Sequence, residues 1–415
     1  MGRPSCGGMR PDAAAGNASP AGTPEPGMGR STLVASTYLG RYIAFNRPTD
    51  RDQSRMPQRR ICASAHAMPA PKAPREADLS QLMVAPRPGA AQLPLSRLLA
   101  QSGTTALVVL HEGRLAWEYY AAGDLVGQPQ RCFSVTKSIA SALVGRAIAE
   151  GAIDSVDAPI GRWLPDLRDP RARELTLARL LDMHSGIRFT EGIFPWRDEP
   201  RTYYATDLRA RLLALPVVDP VGEFFHYNDW HPLLLSLVLE RATGRTVTEL
   251  LQEQIWNPLG MEHPASIMVD RDDPAGLEHL ESGLSATARD LAKFGQLYLE
   301  GGTWHGRRLL PEGWVEGIAS PAGVRRDPAW FAYYRKRPWG SVLSTGRYCY
   351  RRMWWGHHLP PGGFDFFAMG ILGQHVYVSP DTATVIVRLS SRFPPGMWWA
   401  PVLRSMALAT AGRMH

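Results

Sequence analysis

Arg131-Cys132-Phe133-Ser134-Val135-Thr136-Lys137-Ser138-Ile139-Ala140 is the stretch on which the reading of this chain turns. The run from Lys137 to Glu150 predicts a helix: Ile139, Ala142, Leu143, Ala147 and Ile148 give it an apolar face, and Gly151 stands where a C-terminal cap belongs. Ser134 then lies at the helix start, where free N–H groups and the positive end of the dipole favour a developing negative charge. Lys137 follows three residues later, so the two side chains share a face. A serine hydroxyl is a weak nucleophile until a neighbour takes its proton, and a desolvated lysine amine can do so.

Lysine usage sharpens the point. The chain has only four lysines, Lys72, Lys137, Lys293 and Lys336, against 42 arginines. Arginine meets the general demand for positive charge here but does not deprotonate. None of the other three lysines has a serine three positions before it. Alone, such a pair reads equally as a capping serine followed by a solvated lysine; its partners along the chain decide.

The 415 residues suffice for a large core. An apolar fraction of 44% and a charged fraction of 20% are those of a soluble globular protein. The net charge of +7 belongs to the start of the chain: residues 1–97 hold 13 basic and 6 acidic residues, and the remainder holds 33 of each. That distribution argues against a nucleic-acid-binding core. The four cysteines show neither a C-x-x-C pair nor zinc spacing. No stretch of 18 apolar residues predicts a membrane span, and no apolar leader core is visible at the N-terminus, so the expected compartment is the cytoplasm.

Residues 1–76 are expected to be a mostly disordered or extended arm, rich in Gly, Pro and Arg, with a modest apolar patch at Ser31–Phe45; residues 77–415 are expected to be the folded domain. Thr104–Leu110 and Arg114–Tyr120 read as a hairpin, and His375–Ser379 with Thr384–Leu389 as a second one near the C-terminus. Helices are expected between them, notably Pro232–Thr243, Val247–Ile255 and Ala288–Glu300, the last capped by Thr287. Twelve aromatic residues between Trp330 and Phe367 read either as core or as a cleft wall for apolar acyl chains. The fold class is therefore α+β: terminal strands form one antiparallel sheet flanked by helices, beside a helical region.

Three further segments bear on Ser134 and Lys137. Phe225-His226-Tyr227-Asn228-Asp229 puts a tyrosine on a loop; beside a lysine ammonium its phenol, lowered in pKa, can pass protons, although alone it reads as a buried tyrosine. Gly370-Ile371-Leu372-Gly373-Gln374 allows close backbone approach, and the N–H of Gln374 with that of Ser134 could bind an oxyanion. Glu281 to Thr287 reads as a loop supporting the cleft or as an ordinary capped helix start.

These segments, with Leu180-Leu181-Asp182-Met183-His184-Ser185-Gly186, resemble in order and spacing the β-lactamase-like serine hydrolases: class C β-lactamases, DD-peptidases, related esterases and, most closely, 6-aminohexanoate-oligomer hydrolases. The resemblance runs from about residue 90 to 410. It implies the β-lactamase/transpeptidase-like fold, Ser134 as nucleophile, Lys137 as a proton-handling lysine, Tyr227 as base, and backbone oxyanion donors at Ser134 and Gln374 beside Gly373. The activity implied is hydrolysis of a small ester or amide through an acyl-enzyme, without metal or organic cofactor. The rival readings are a β-lactamase or DD-peptidase, and a catalytically silent binding or sensor protein. Two positions depart from the family pattern. Asp229 stands where asparagine is common, and Ile371 takes the place of a lysine or histidine that helps hold an anionic substrate, with His184-Ser185-Gly186 read as structural.

Overall fold

The computed structural model describes residues 37–413, except 46, 87–88, 320–328, 335–339, 344 and 393–398. The elements that position the site are, in chain order, α1 (Tyr38–Phe45), β1 (Gln58–Ile61), β2 (Thr104–His111), β3 (Arg114–Tyr120), β4 (Gln130–Arg131), α2 (Thr136–Ala149), α3 (Trp230–Thr243), β5 (Ala265–Met268), β6 (Leu284–Ala286), α4 (Ala288–Leu299), β7 (Tyr348–Arg351), β8 (Trp354–Leu359), β9 (Gly363–Gly370), β10 (Gln374–Ser379), β11 (Thr384–Ser390) and α5 (Ala400–Thr410).

Seven strands form one sheet in the order β7-β8-β9-β10-β11-β2-β3, antiparallel throughout. The hairpins from the two ends of the chain join where β11 pairs with β2, from Thr384 opposite His111 to Leu389 opposite Ala106. The expected sheet is thus present, and helices α4 and α5 pack against it. Ala106 to Leu110 are buried without alternation, as a central strand covered on both faces requires. Each such valine or leucine contributes roughly 1.5–3 kcal/mol through burial. A second sheet, in the order β1-β5-β6-β4, lies directly before the Ser134 segment.

Two helices are buried on all sides rather than along one stripe. Every residue of α2 from Thr136 to Ala147 is buried, and so is every residue of α3 from Trp230 to Leu239. They pack against each other, which brings the loop before α3 to the start of α2.

The structure revises one expectation and decides between two readings left open. From residue 37 the presumed arm is built into the body: β1 pairs with β5, and the Arg41 guanidinium on α1 donates to the carbonyl of Ala205 at 2.8 Å. Residues 71–77 run along the edge strand β3, where the N–H of Leu115 reaches the carbonyl of Pro71 and the N–H of Ala73 reaches that of Leu115, both at 2.8 Å. A proline-rich segment has no side-chain period to announce such pairing, yet it closes an edge that would otherwise invite foreign strands. The aromatic run, in turn, is mostly core: three strands, β7 to β9, come from it, and Trp354, Trp355, Phe366 and Phe367 are buried. Trp339 lies outside the described residues.

Candidate active site

Phe133–Val135 form a single 3-10 turn that feeds α2. Phe133 has φ = 49°, a left-handed conformation that costs a non-glycine residue about 1 kcal/mol or more. The turn is latched by Thr136, whose hydroxyl donates to the carbonyl of Phe133 at 2.6 Å and accepts from the N–H of Leu284 at 3.2 Å. Ser138 donates to the carbonyl of Met353 at 2.7 Å. All residues from Arg131 to Ala147 are buried except one, Ser134. Ser134 itself is of intermediate exposure.

Lys137 is 1% exposed, and its Nζ meets three acceptors at 2.8 Å: Ser134 Oγ, the carbonyl oxygen of Glu281 and Asp229 Oδ1. Three N–H donors and three acceptors define an ammonium. Burial works against that charge, but Asp229, Tyr227 and Glu281 outweigh it and hold the amine above the ordinary lysine pKa. Of the two states the sequence left open, a desolvated amine and an ammonium, the ammonium fits this geometry, because a carboxylate arrives with α3 to pair with it.

Tyr227 is held from several directions. Its N–H donates to Tyr334 Oη at 2.7 Å, and its ring stacks on Trp355 at 5.8 Å and meets Tyr350 edge-on at 5.7 Å. Lys137 Nζ lies 4.8 Å from the ring centroid. Burial raises the phenol pKa and the Lys137 charge lowers it only in part, so the net shift is upward and not downward as expected. Asn228 fixes the loop between Tyr227 and Asp229: its amide donates to the carbonyl of Ile187 at 3.0 Å, and its Oδ1 accepts from the N–H of Trp230 at 2.9 Å. Asp229 keeps 23% side-chain exposure.

The backbone that meets Ser134 lies three residues earlier than Gly373. At Gly370, the last residue of β9, a Cβ would sit 2.6 Å from the carbonyl oxygen of Cys132 and 3.0 Å from the Ser134 nitrogen, so only glycine fits. Gln374 is its ladder partner across the hairpin, and its side chain clamps Ser390: Nε2 donates to the Ser390 carbonyl at 2.9 Å and Oε1 accepts the Ser390 N–H at 2.8 Å. The glycine packed against the Ser134 backbone is thus Gly370, one residue before Ile371 and four before Gln374. Two nearby glycines of equal steric licence left the register open in the sequence. With Gly370 as the anchor, the two residues before it are Ala368 and Met369, so β9 still brings no cation to that place.

Glu281, on the supporting loop, contributes its carbonyl to Lys137, while its carboxylate accepts from His279 Nδ1 at 2.8 Å and Ser282 Oγ at 3.0 Å. Ser185 pairs with His231 at 2.6 Å inside the protein, a structural contact. Sequence reasoning included Asn228, Gly370, Tyr334 and Trp355 in its segments but gave none of them an individual role. Only Gly370 carried a local signal, as a glycine ending an apolar run. Among the described residues no cluster of three or more His, Cys, Asp or Glu is arranged to hold a metal ion, and no helix is long and apolar enough to cross a membrane.

A family model described as Beta-lactamase matches residues 95–410. The chain belongs to the β-lactamase family. Within that family it is 30% identical over 315 residues to a 6-aminohexanoate-dimer hydrolase of Paenarthrobacter ureafaciens, covering 73% of this chain and 76% of that one. It is 32% identical over 181 residues to esterase EstB of Burkholderia gladioli, covering 38% and 45%. A candidate 6-aminohexanoate-dimer hydrolase from Bacillus anthracis shares the fold with a TM-score of 0.72 at 23% identity, over 94% of this chain and 97% of that one. A penicillin-binding protein from Bacillus halodurans shares it at 0.57 and 16%, over 76% and 99%. The protein is thus a β-lactamase-family enzyme, a serine hydrolase of β-lactamase/transpeptidase-like fold.

Proposed function

We propose that Ser134 is the nucleophile of a two-step hydrolysis of small esters or linear amides, the substrate type carried by the names of its 6-aminohexanoate-dimer hydrolase and esterase relatives. One observation carries this reading: Ser134, the one residue of its run that is not buried, has its Oγ 2.8 Å from Lys137 Nζ, which lies 4.8 Å from the centroid of the Tyr227 ring. Because the ammonium donates to Oγ, the serine's own proton is directed to the Tyr227 oxygen. In its phenolate form Tyr227 takes that proton as Oγ bonds to the substrate carbonyl carbon. The resulting oxyanion sits between the N–H groups of Ser134 and Ile371, each worth roughly 3 kcal/mol. Collapse breaks the C–O or C–N bond, and Tyr227 returns the proton to the alkoxide or amine that leaves. Water then attacks the acyl-enzyme, Tyr227 again accepts the proton, and Ser134 departs with it.

The test is covalent labelling. A fluorophosphonate should modify the protein once, at the peptide containing Ser134, and a screen of p-nitrophenyl esters and linear amides should then find turnover. Failure to label would support a silent binding protein. The β-lactamase reading is disfavoured by the neutral Ala368, Met369 and Ile371 around Gly370. Rapid nitrocefin turnover would reinstate it.

Asp229 acts here as the counter-ion of Lys137. Asp229→Asn removes a negative charge that holds up the pKa of both Lys137 and Tyr227. The alkaline-rising limb of kcat/KM should move down by about one pH unit, with a modest loss of melting temperature. A limb that stays in place or moves upward would remove Asp229 from the proton network.

A further inference from the structure

Strand β11 carries a guanidinium that the mechanism above does not use. Arg388 is fully buried, and among the described residues no carboxylate pairs with it. Its donors are all occupied locally. Nε reaches Thr104 Oγ1 at 2.9 Å, Nη1 reaches the carbonyl of Gly373 at 2.6 Å and that of Leu372 at 3.5 Å, and Nη2 reaches the carbonyl and hydroxyl of Ser102 at 3.3 and 3.2 Å. The Trp399 ring lies 3.8 Å from its central carbon. Burying an arginine without a counter-ion is costly, and a methionine of similar length would fill the space without that cost.

The carbonyls it grips belong to the turn that joins β9 to β10, directly after Gly370. Leu372 and Gly373 both have positive φ, 65° and 83°, and a Cβ at Gly373 would collide with Arg388 Nη1. A leucine in that conformation relaxes unless something holds it. Two ties do so: the Leu372 side chain packs against the apolar cluster that contains Phe133, Tyr203 and Tyr204, and the Gly373 carbonyl is pinned by Arg388 and by His375 Nδ1 at 2.9 Å. His375 and Arg388 are ladder partners, so the two donors are themselves in register.

We infer that Arg388 is a positioning residue for acyl transfer: it clamps the Leu372–Gly373 turn and thereby fixes the Ile371 N–H that the proposed oxyanion pocket uses. The inference rests on Ser134 being the nucleophile. An oxyanion forming near Ser134 would then meet a rigid donor that costs no reorganisation at the moment of reaction.

The test uses the full-length protein with Arg388→Met and Arg388→Lys, each measured for folding, fluorophosphonate labelling, kcat and KM on a p-nitrophenyl ester, and inhibition by an arylboronic acid, whose serine adduct is tetrahedral and anionic. Arg388→Met should lose about 30–100-fold in kcat with KM within about 3-fold, and boronate affinity should fall in step. Arg388→Lys keeps the charge but not the fork and should recover part of both; it also carries the test if the methionine variant does not fold. A folded methionine or lysine variant with unchanged kcat, or with lower kcat but unchanged boronate affinity, would overturn the role. Absence of labelling in the wild-type protein would instead sink the assignment of Ser134.

Discussion

Ser134→Ala should leave a folded protein whose hydrolysis of p-nitrophenyl acetate is at least about 10⁴-fold slower than that of the wild type. The size follows from the two-step route. Without Oγ no acyl-enzyme forms, and what remains is attack by water on a substrate held in the oxyanion pocket. The fold should scarcely notice. Ser134 is the one residue of its run that is not buried, and its removal opens no cavity. Lys137 loses one of three acceptors but keeps Glu281 and Asp229, a change worth about 1 kcal/mol. Initial rates and thermal melting on the same preparation separate the two effects. An alanine variant that keeps more than a few per cent of the rate, with fluorophosphonate labelling elsewhere, would mean that another residue is the nucleophile.

The closeness of Ser134 and Lys137 was legible because three residues of helical spacing fix proximity before any tertiary structure exists. The Thr287 cap was legible for the same reason, and its hydroxyl does accept the N–H of Asp290 at 3.1 Å. The joining of terminal hairpins followed from two pairs of short apolar, β-branched runs, each pair broken by a turn, at the two ends of the domain. What stayed hidden depends on packing. Strands β7 to β9 are buried on both faces, so they show no alternation and read as an aromatic mass. Strands β5 and β6, only four and three residues long, give no pattern at all. The protonation of Lys137 could not be read locally, because the carboxylate that decides it comes from a residue 92 positions away in the chain, at the start of α3. The choice between Gly370 and Gly373 likewise depends on which glycine reaches Ser134, a fact of the sheet's register and not of composition.

That hidden protonation state makes Lys137→Met the second large prediction. Were the lysine a neutral base, its loss would remove the proton acceptor and the variant would be inert at every pH. The geometry gives it a different role, that of an ammonium which orients Ser134 and lowers the Tyr227 phenol against the upward pull of burial. Methionine matches the stem in length and keeps the buried volume filled, but the cation is gone. The phenol then loses its main stabilising charge, and its pKa rises further. Activity at neutral pH should fall by about 10³–10⁴-fold, and the residual rate should climb with pH, its rising limb displaced upward relative to the wild type. The variant also leaves Asp229 without its cation in a mostly buried place, so lower melting is expected; pairing it with Asp229→Asn should recover some stability without recovering rate. The pH–rate profile is the deciding measurement, because the neutral-base alternative predicts a flat line at background whereas the ammonium assignment predicts a slope. Were Lys137→Met to show no dependence on pH up to the limit of folding, Tyr227 would lose its place as proton acceptor, and the lysine would have to be the base after all.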